Sequence, residues 1–194
     1  NKEGGDITVK AKDDIYQLAI AGEVGFSNGS WAAGLANVDS ILNGTVKAEV
    51  GKMASLGGNN ITVFADSKNE MYQISIAGNA SAGNTINGSA VGTNIEQNTK
   101  AIVNEGYGAD NAYTLKAAND ITIKANNVSE IVNAAGTLGF SLSSSGGGAV
   151  DVALFKSTTL AQLSKNTNVQ AGGNVCVLAN GEEHFKAVCV GVEV

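Results

Sequence analysis

Apolar and polar residues alternate in four separated windows of the chain. Ile7 and Val9, Ile61 and Val63, Ile121 and Ile123, and Val175 and Val177 each flank one intervening residue. A period of two puts alternate side chains on one buried face, the mark of a half-buried β-strand. Thr8, Thr62 and Thr122 take the outward phase, and Cys176 takes it in the fourth window. The first core positions are 54, 60 and 54 residues apart. Ala11, Ala65, Ala125 and Ala179 follow the pairs, where a small side chain suits a tight corner.

The windows belong to a longer repeat. Its opening phrases are GGDITVKAKDD at Gly4, GGNNITVFADS at Gly57, ANDITIKANNV at Ala118 and GGNVCVLANGE at Gly172. A second phrase recurs as AGLANVD (33–39), AVGTNIE (90–96) and AVDVALF (149–155), and strand signals follow at 45–50, 99–103 and 159–163. Ala48, Ala101 and Ala161 keep the same beat. The longer step is accounted for by one insertion near 105–110 (EGYGAD).

A unit of about 54 residues with at least four strand signals fits a propeller blade or a β-solenoid with two coils of about 27 residues. Aromatics make up 5% of the chain, so the periodic aromatic signature of a blade is missing. Small residues suit like-on-like stacking at about 4.8 Å per coil. The expected fold is therefore all-β, a right-handed parallel β-helix of about seven coils and roughly 35 Å. It forms one segment, 1–194, with repeats at about 4–56, 57–117, 118–171 and a partial 172–194, cut from a longer protein.

Within that frame the polar stretches 12–14 and 66–70 read as corners, the second longer by two residues. Ile20 and Ile76 then fall inward, and Cys189 matches them. Asn28 and Gly29 make a turn, 79–88 a loop or weakly buried coil, and 141–148 (SLSSSGGG) a flexible turn. Segments 128–135 and 158–163 have helix-like spacing, but their register with the other copies assigns them to strands. Trp31 is expected to cap the core.

Composition narrows the chemistry. The chain lacks proline, as a body whose backbone N–H groups are needed for ladders would. Net charge is −6, and all 12 basic residues are lysines. Without a basic patch or guanidinium forks, nucleic acid is excluded as a partner. No apolar run reaches the length of a membrane-spanning helix. The two cysteines fall on opposite phases, which argues against a disulfide, and no second Cys or His stands nearby at ligand spacing.

A β-helix hydrolase or lyase would use carboxylates on adjacent coils. The candidates are Asp13, Asp14, Asp66, Glu182 and Glu183. Equivalent positions two coils apart would be roughly 10 Å apart, beyond the about 5–5.5 Å of a retaining pair. Asn126 and Asn127 interrupt the series, so these read as solvated corner charges. His184, the single histidine, reads as a surface residue. No nucleophile motif, phosphate loop or calcium nonapeptide occurs. No catalytic, cofactor-binding or metal residue is assigned. Asn28, Asn43, Asn79, Asn87 and Asn127 head Asn-x-Ser/Thr triplets and read as turn residues. The insertion, with Tyr107, Asp110 and Tyr113, is either a ligand-contact loop projecting from the rod or a loop folded over a coil edge.

The phrase GG-x-ITV-x-A(D) at 4–11, 57–66 and 172–179, with the strands at 45–50 and 90–103, resembles the repeats of bacterial filamentous adhesins of the filamentous-haemagglutinin type. It looks closest to the leukotoxin-like filamentous adhesins. The resemblance implies a right-handed parallel β-helix and secretion to the bacterial surface by a two-partner or autotransporter route, with an outer-membrane secretion partner. It implies adhesion or cytotoxicity, through a host cell-surface protein or glycan, and no catalytic residue or cofactor. The family's N-terminal secretion domain is not recognisable here. The two cysteines depart from its cysteine-poor pattern and leave pairing between chains open. The leading function is a non-catalytic structural or adhesive rod segment. A carbohydrate-active β-helix enzyme would need convergent carboxylates, and a membrane-acting toxin part would need an amphipathic stretch.

Overall fold

The computed structural model describes residues 4–105 and 114–194. Among them the chain forms ten strands and no helix: β1 (Ile7–Ser27), β2 (Trp31–Val50), β3 (Leu56–Gly58), β4 (Ile61–Ser81), β5 (Asn84–Val103), β6 (Leu115–Ala117), β7 (Ile121–Ser141), β8 (Ser144–Leu163), β9 (Val169–Ala171) and β10 (Val175–Glu193). The strands stack in three parallel sheets, β1-β4-β7-β10, β2-β5-β8 and β3-β6-β9. Each unit runs out along the first sheet, turns, and returns along the second. It then crosses the short third sheet to begin again one rung on. This is an all-β parallel solenoid, flattened so that its two long sheets face each other.

The register corrects the coil count. Ile7 lies beside Ile61, Ile61 beside Ile121, and Ile121 beside Val175. Neighbours in the ladder are a whole repeat apart, so one repeat makes one coil, not two. The polar stretches read as corners are mid-strand: Lys12, Asp13 and Asp14 pair with Asp66, Ser67 and Lys68 without a break. The only positive-φ non-glycine residues described are Met53 and Asn166, far from that stretch. With nothing to bend the backbone, ladder hydrogen bonds carry each long strand on for about 70 Å at about 3.3 Å per residue.

The core has two characters. Beside the third sheet, Ile61, Val63, Ile121 and Ile123 are fully buried and pack with Val50, Val103 and Leu115. Ala65 and Ala125 stand in one inward column and join Ala48 and Ala101 in the same cluster. They lie within their strands and inside the core, so their size does not mark a turn of the chain. Farther along, Met71, Ile95 and Ile131 form a second, smaller cluster. Beyond it the interior is polar. Gln73 Nε2 donates to Thr93 Oγ1 at 2.6 Å, and Asn79 Nδ2 donates to Asn87 Oδ1 at 2.6 Å. Asn79 has room because the preceding rung carries glycines. A Cβ at Gly25 or Gly34 would stand 2.1 or 2.2 Å from its amide.

Inversion of the pattern explains the second set of corrections. The offset between β1 and β4 stays constant from Ile7/Ile61 to Ser27/Ser81, so 66–70 contains no extra residues. Ile20 therefore stacks on Ile74, and Ile76 on Gly22 and Gly136. Both isoleucines point outward, 67% and 46% exposed. Cys189 instead continues the inward column of Ala135 and Ser75. Trp31 opens β2 on its outward phase and is 61% exposed, so it caps no core. Most of 79–88 and 141–148 is strand, with turns only at Ala82–Gly83 and Leu142–Ser143. Segments 128–135 and 158–163 are strand, as the register argued.

The corner entering each coil holds a ladder of Asn and Asp. Asn60 Nδ2 donates to Asp6 Oδ1 at 2.9 Å, and Asn174 N donates to Asp120 Oδ1 at 2.7 Å. Between them Asp120 N donates to Asn60 Oδ1 at 3.3 Å. The recurring Asn or Asp before the opening isoleucine or valine is thus an inter-coil clamp. The corner leaving β2 and β8 needs a left-handed residue, Met53 (φ 56°) and Asn166 (φ 58°). Asparagine tolerates that backbone and methionine does not. Met53→Gly relieves a left-handed strain of about 1–2 kcal/mol and adds an entropic cost of about 0.5–1 kcal/mol, so it should raise stability by about 0.5–1 kcal/mol. A urea midpoint that stays put or falls would refute the strained turn.

Candidate functional site

The outer face of the first sheet divides into two halves. Near the third sheet it is polar. One column holds Thr8, Thr62, Thr122 and Cys176; another holds Lys12, Asp66, Asn126 and Asn180. Asn126 Nδ2 donates to Asp66 Oδ1 at 2.9 Å, and Asn180 Nδ2 to Asn126 Oδ1 at 3.0 Å. Between these columns Phe64 lies under two ammonium groups, Lys10 at 5.5 Å and Lys124 at 5.7 Å from the ring centre.

The column Tyr16, Glu70, Glu130 and His184 marks the boundary. Glu70 pairs with Lys68 on its own strand, and Lys186 reaches Glu130 across strands at 4.0 Å. The Glu130 carboxylate raises the pKa of the Tyr72 phenol above its ordinary value, with burial adding to the effect. The Lys68 ammonium is held above its usual value by its hydrogen bond to Glu70. Tyr16 and Tyr72 meet across the first two rungs with centroids 5.8 Å apart and planes tilted by 43°.

Past this boundary the face turns apolar. Successive outward columns begin at Leu18, Ile20, Gly22, Val24 and Phe26; the first four run across all four strands and the Phe26 column across β1, β4 and β7. They carry Tyr72, Ile74 and Ile76 on β4, Leu138 and Phe140 on β7, and Val188, Val190 and Val192 on β10. Lys186 is the only charged side chain in those columns. Phe26 and Phe140 are 83% and 54% exposed, and Ala80 lies between them in register. That Phe-Ala-Phe row walls a cleft of about 460 Å³ at the turn end, and Val24, Gly78 and Leu138 help line a smaller one of about 160 Å³. Inward and outward roles have exchanged along the same strands. Small and polar residues fill the interior, and the apolar series Leu18-Ile20-Val24-Phe26 is displayed to solvent.

The sequence-derived candidates are not brought together. Asp66 stacks beside Lys12, not beside Asp13 or Asp14, and Glu182 continues the column of Asp14, Lys68 and Val128. The roughly 10 Å expected between equivalent positions was a consequence of the two-coil count; laddered neighbours are about 4.8 Å apart. Opposite charges and asparagines occupy those neighbouring places. His184 Nε2 stands 4.0 Å from Glu182, both groups exposed. Cys176 and Cys189 are free and exposed, on opposite faces of β10. Among the described residues no group of three or more His, Cys, Asp or Glu could hold a metal. Of the Asn-x-Ser/Thr positions, Asn79, Asn87 and Asn127 are buried in strands and Asn43 is exposed in the middle of β2, so only Asn28 lies at a turn. Tyr107, Asp110 and Tyr113 lie outside the described residues. The insertion's place is fixed by its neighbours: eleven residues separate Val103 from Leu115, where five separate Val50 from Leu56.

No protein-family model, curated protein or solved structure matches the chain. No helix among the described residues is long and apolar enough to cross a membrane.

Proposed function

We propose that the chain is a non-catalytic structural and adhesive segment of a large secreted surface protein of bacterial filamentous-adhesin type. The observation that carries this reading is the uninterrupted in-register parallel ladder, in which each repeat adds one rung of the same three strands. A fold that extends by adding equal rungs makes a spacer whose length scales with repeat number. The adhesin-like phrases map onto it directly. GG-x-ITV supplies the inter-coil clamp and the first core columns, and the alanines of the following strands join the same buried cluster. Secretion through an outer-membrane partner and contact with a host surface protein or glycan belong to the same proposal.

Fluorescently labelled protein should bind epithelial cells saturably, and unlabelled protein should compete the signal away. Binding that does not saturate, or that equals the signal of the heat-unfolded chain, overturns the adhesive part. Release of reducing or unsaturated ends from an acidic polysaccharide overturns the non-catalytic part.

A further inference from the structure

The apolar half of the first sheet's outer face is large, continuous and uncovered. Five columns at about 6.6 Å, four of them four strands wide and one three strands wide at about 4.8 Å per strand, give roughly 600 Å². That is the upper end of what a monomer ordinarily exposes in one patch. The face carries almost no groups that could recognise a partner through charge or hydrogen bonding: Lys186 is its one cation, and it has no anion. A polar or charged partner would lose hydration there and gain no pairing in return.

The middle of the face has a relief that can match itself. Ile76 stands between Gly22 and Gly136 in its column, and Leu138 stands beside Gly78 in the next. Across β1, β4 and β7 these two columns thus form a checkerboard of side chains and glycine gaps, while the Leu18 and Ile20 columns hold no glycine. A two-fold axis lying in the interface sets the side chains of one such face over the gaps of another. Two copies would together bury about 1,200 Å², the lower bound for a specific stable interface. The two sheets would meet as in a β-sandwich, about 10 Å apart.

We propose that this face binds a second copy of the same chain, pairing two solenoids side by side through β1, β4, β7 and β10. The pairing rests on the exposed columns alone and is independent of the adhesive reading.

Sedimentation velocity of the full 194-residue chain from 1 to 100 µM tests it. The expected result is a concentration-dependent monomer–dimer equilibrium. Ile76→Glu with Leu138→Glu should weaken the dimer at least 100-fold. Thr62→Glu with Thr122→Glu, on the polar half of the same face, should leave it unchanged. Both pairs point to solvent, and the circular dichroism strand signal reports folding. Val24→Ser with Phe26→Ser, a milder pair on the edge strand, should weaken the dimer about tenfold if the glutamates disturb the fold. A wild type that stays monomeric at 100 µM overturns the proposal. So does a dimer that survives the face variants, since the copies would then meet elsewhere. A monomer that binds phosphatidylcholine vesicles would assign the face to lipid and also overturn it.

Discussion

Ile121→Asp should open the middle of the solenoid, with a loss of about 4 kcal/mol or more. Ile121 is fully buried, laddered between Ile61 and Val175, and packed with Val103, Leu115 and Ile123. The substitution removes an aliphatic side chain from a close-packed layer and leaves a cavity, itself worth about 2–5 kcal/mol. It also places a carboxylate among aliphatic side chains, with no cation in the cluster to pair with. Burial of that kind raises a carboxyl pKa, so the acid prefers to be neutral in the folded state. The sign follows from linkage. A group whose folded pKa lies above its unfolded value is least damaging below the unfolded pKa, and its penalty grows as pH rises towards the folded one. The variant should thus be least stable at neutral pH and regain part of the loss at acid pH. Val175→Asp is the control. It lies in the same column on the terminal rung, 48% exposed, and should cost less than about 1 kcal/mol. Equal shifts in the thermal midpoints of the two variants would refute the burial gradient along the stack.

That column is also where the sequence was most legible. Ile7, Ile61, Ile121 and Val175 were readable because aliphatic side chains mark a buried face without ambiguity, and all four fall in one ladder. The solenoid followed from their spacing and from the alternation of Thr8, Thr62 and Thr122 between them. What could not be read was where the coil turns. Lys12–Asp14 looked like a corner because a run of polar residues usually leaves the core. Here Asp13, Ser67 and Asn127 continue an inward column whose own surroundings are polar. Phase, not polarity, identifies the inside of such a strand. A strand read with hydrophobic residues inward slips by one residue, and every later side chain changes face. Ile20 and Ile76 were misplaced by that slip, and the apolar outer face was missed with them; Cys189 does lie on the inward phase, but in the column of Ser75 and Ala135 and not in that of Ile20 or Ile76. A usable signal was present: Gly25 and Gly34 sit where Asn79 needs space, and Gly44 sits where Gln97 does. A glycine in a strand opposite a large polar residue on the next rung points to an interior position.

The polar interior makes the second large prediction, and it runs in two directions. Thr93 Oγ1 accepts from Gln73 Nε2 at 2.6 Å and from Asn133 Nδ2 at 2.9 Å. Gln73 and Asn133 are fully buried, Thr93 nearly so, and Gln73 Oε1 has no protein partner. Thr93→Val removes the shared acceptor and strands the Gln73 amide in the interior. It should cost about 2–3 kcal/mol, the desolvation penalty of buried donors left unpaired. Asn133 is less affected, because it also donates to Asp151 Oδ1 at 2.8 Å. Gln73→Met with Thr93→Val removes donor and acceptor together and keeps the volume nearly constant. Replacing a buried polar pair by apolar groups of the same shape is neutral or stabilising. The double variant should therefore match or exceed the wild type by about 1 kcal/mol, although one of its two substitutions alone is damaging. Urea midpoints for the four proteins close the cycle, and the expected coupling is several times the about 0.3–0.5 kcal/mol scatter of independent sites. If the two changes simply add, Gln73 does not depend on Thr93 and the interior must satisfy its polar groups in another way. If the coupling is found, these side chains hold the two sheets in register at a cost in stability. The aliphatic layer beside the third sheet is then what keeps each coil folded.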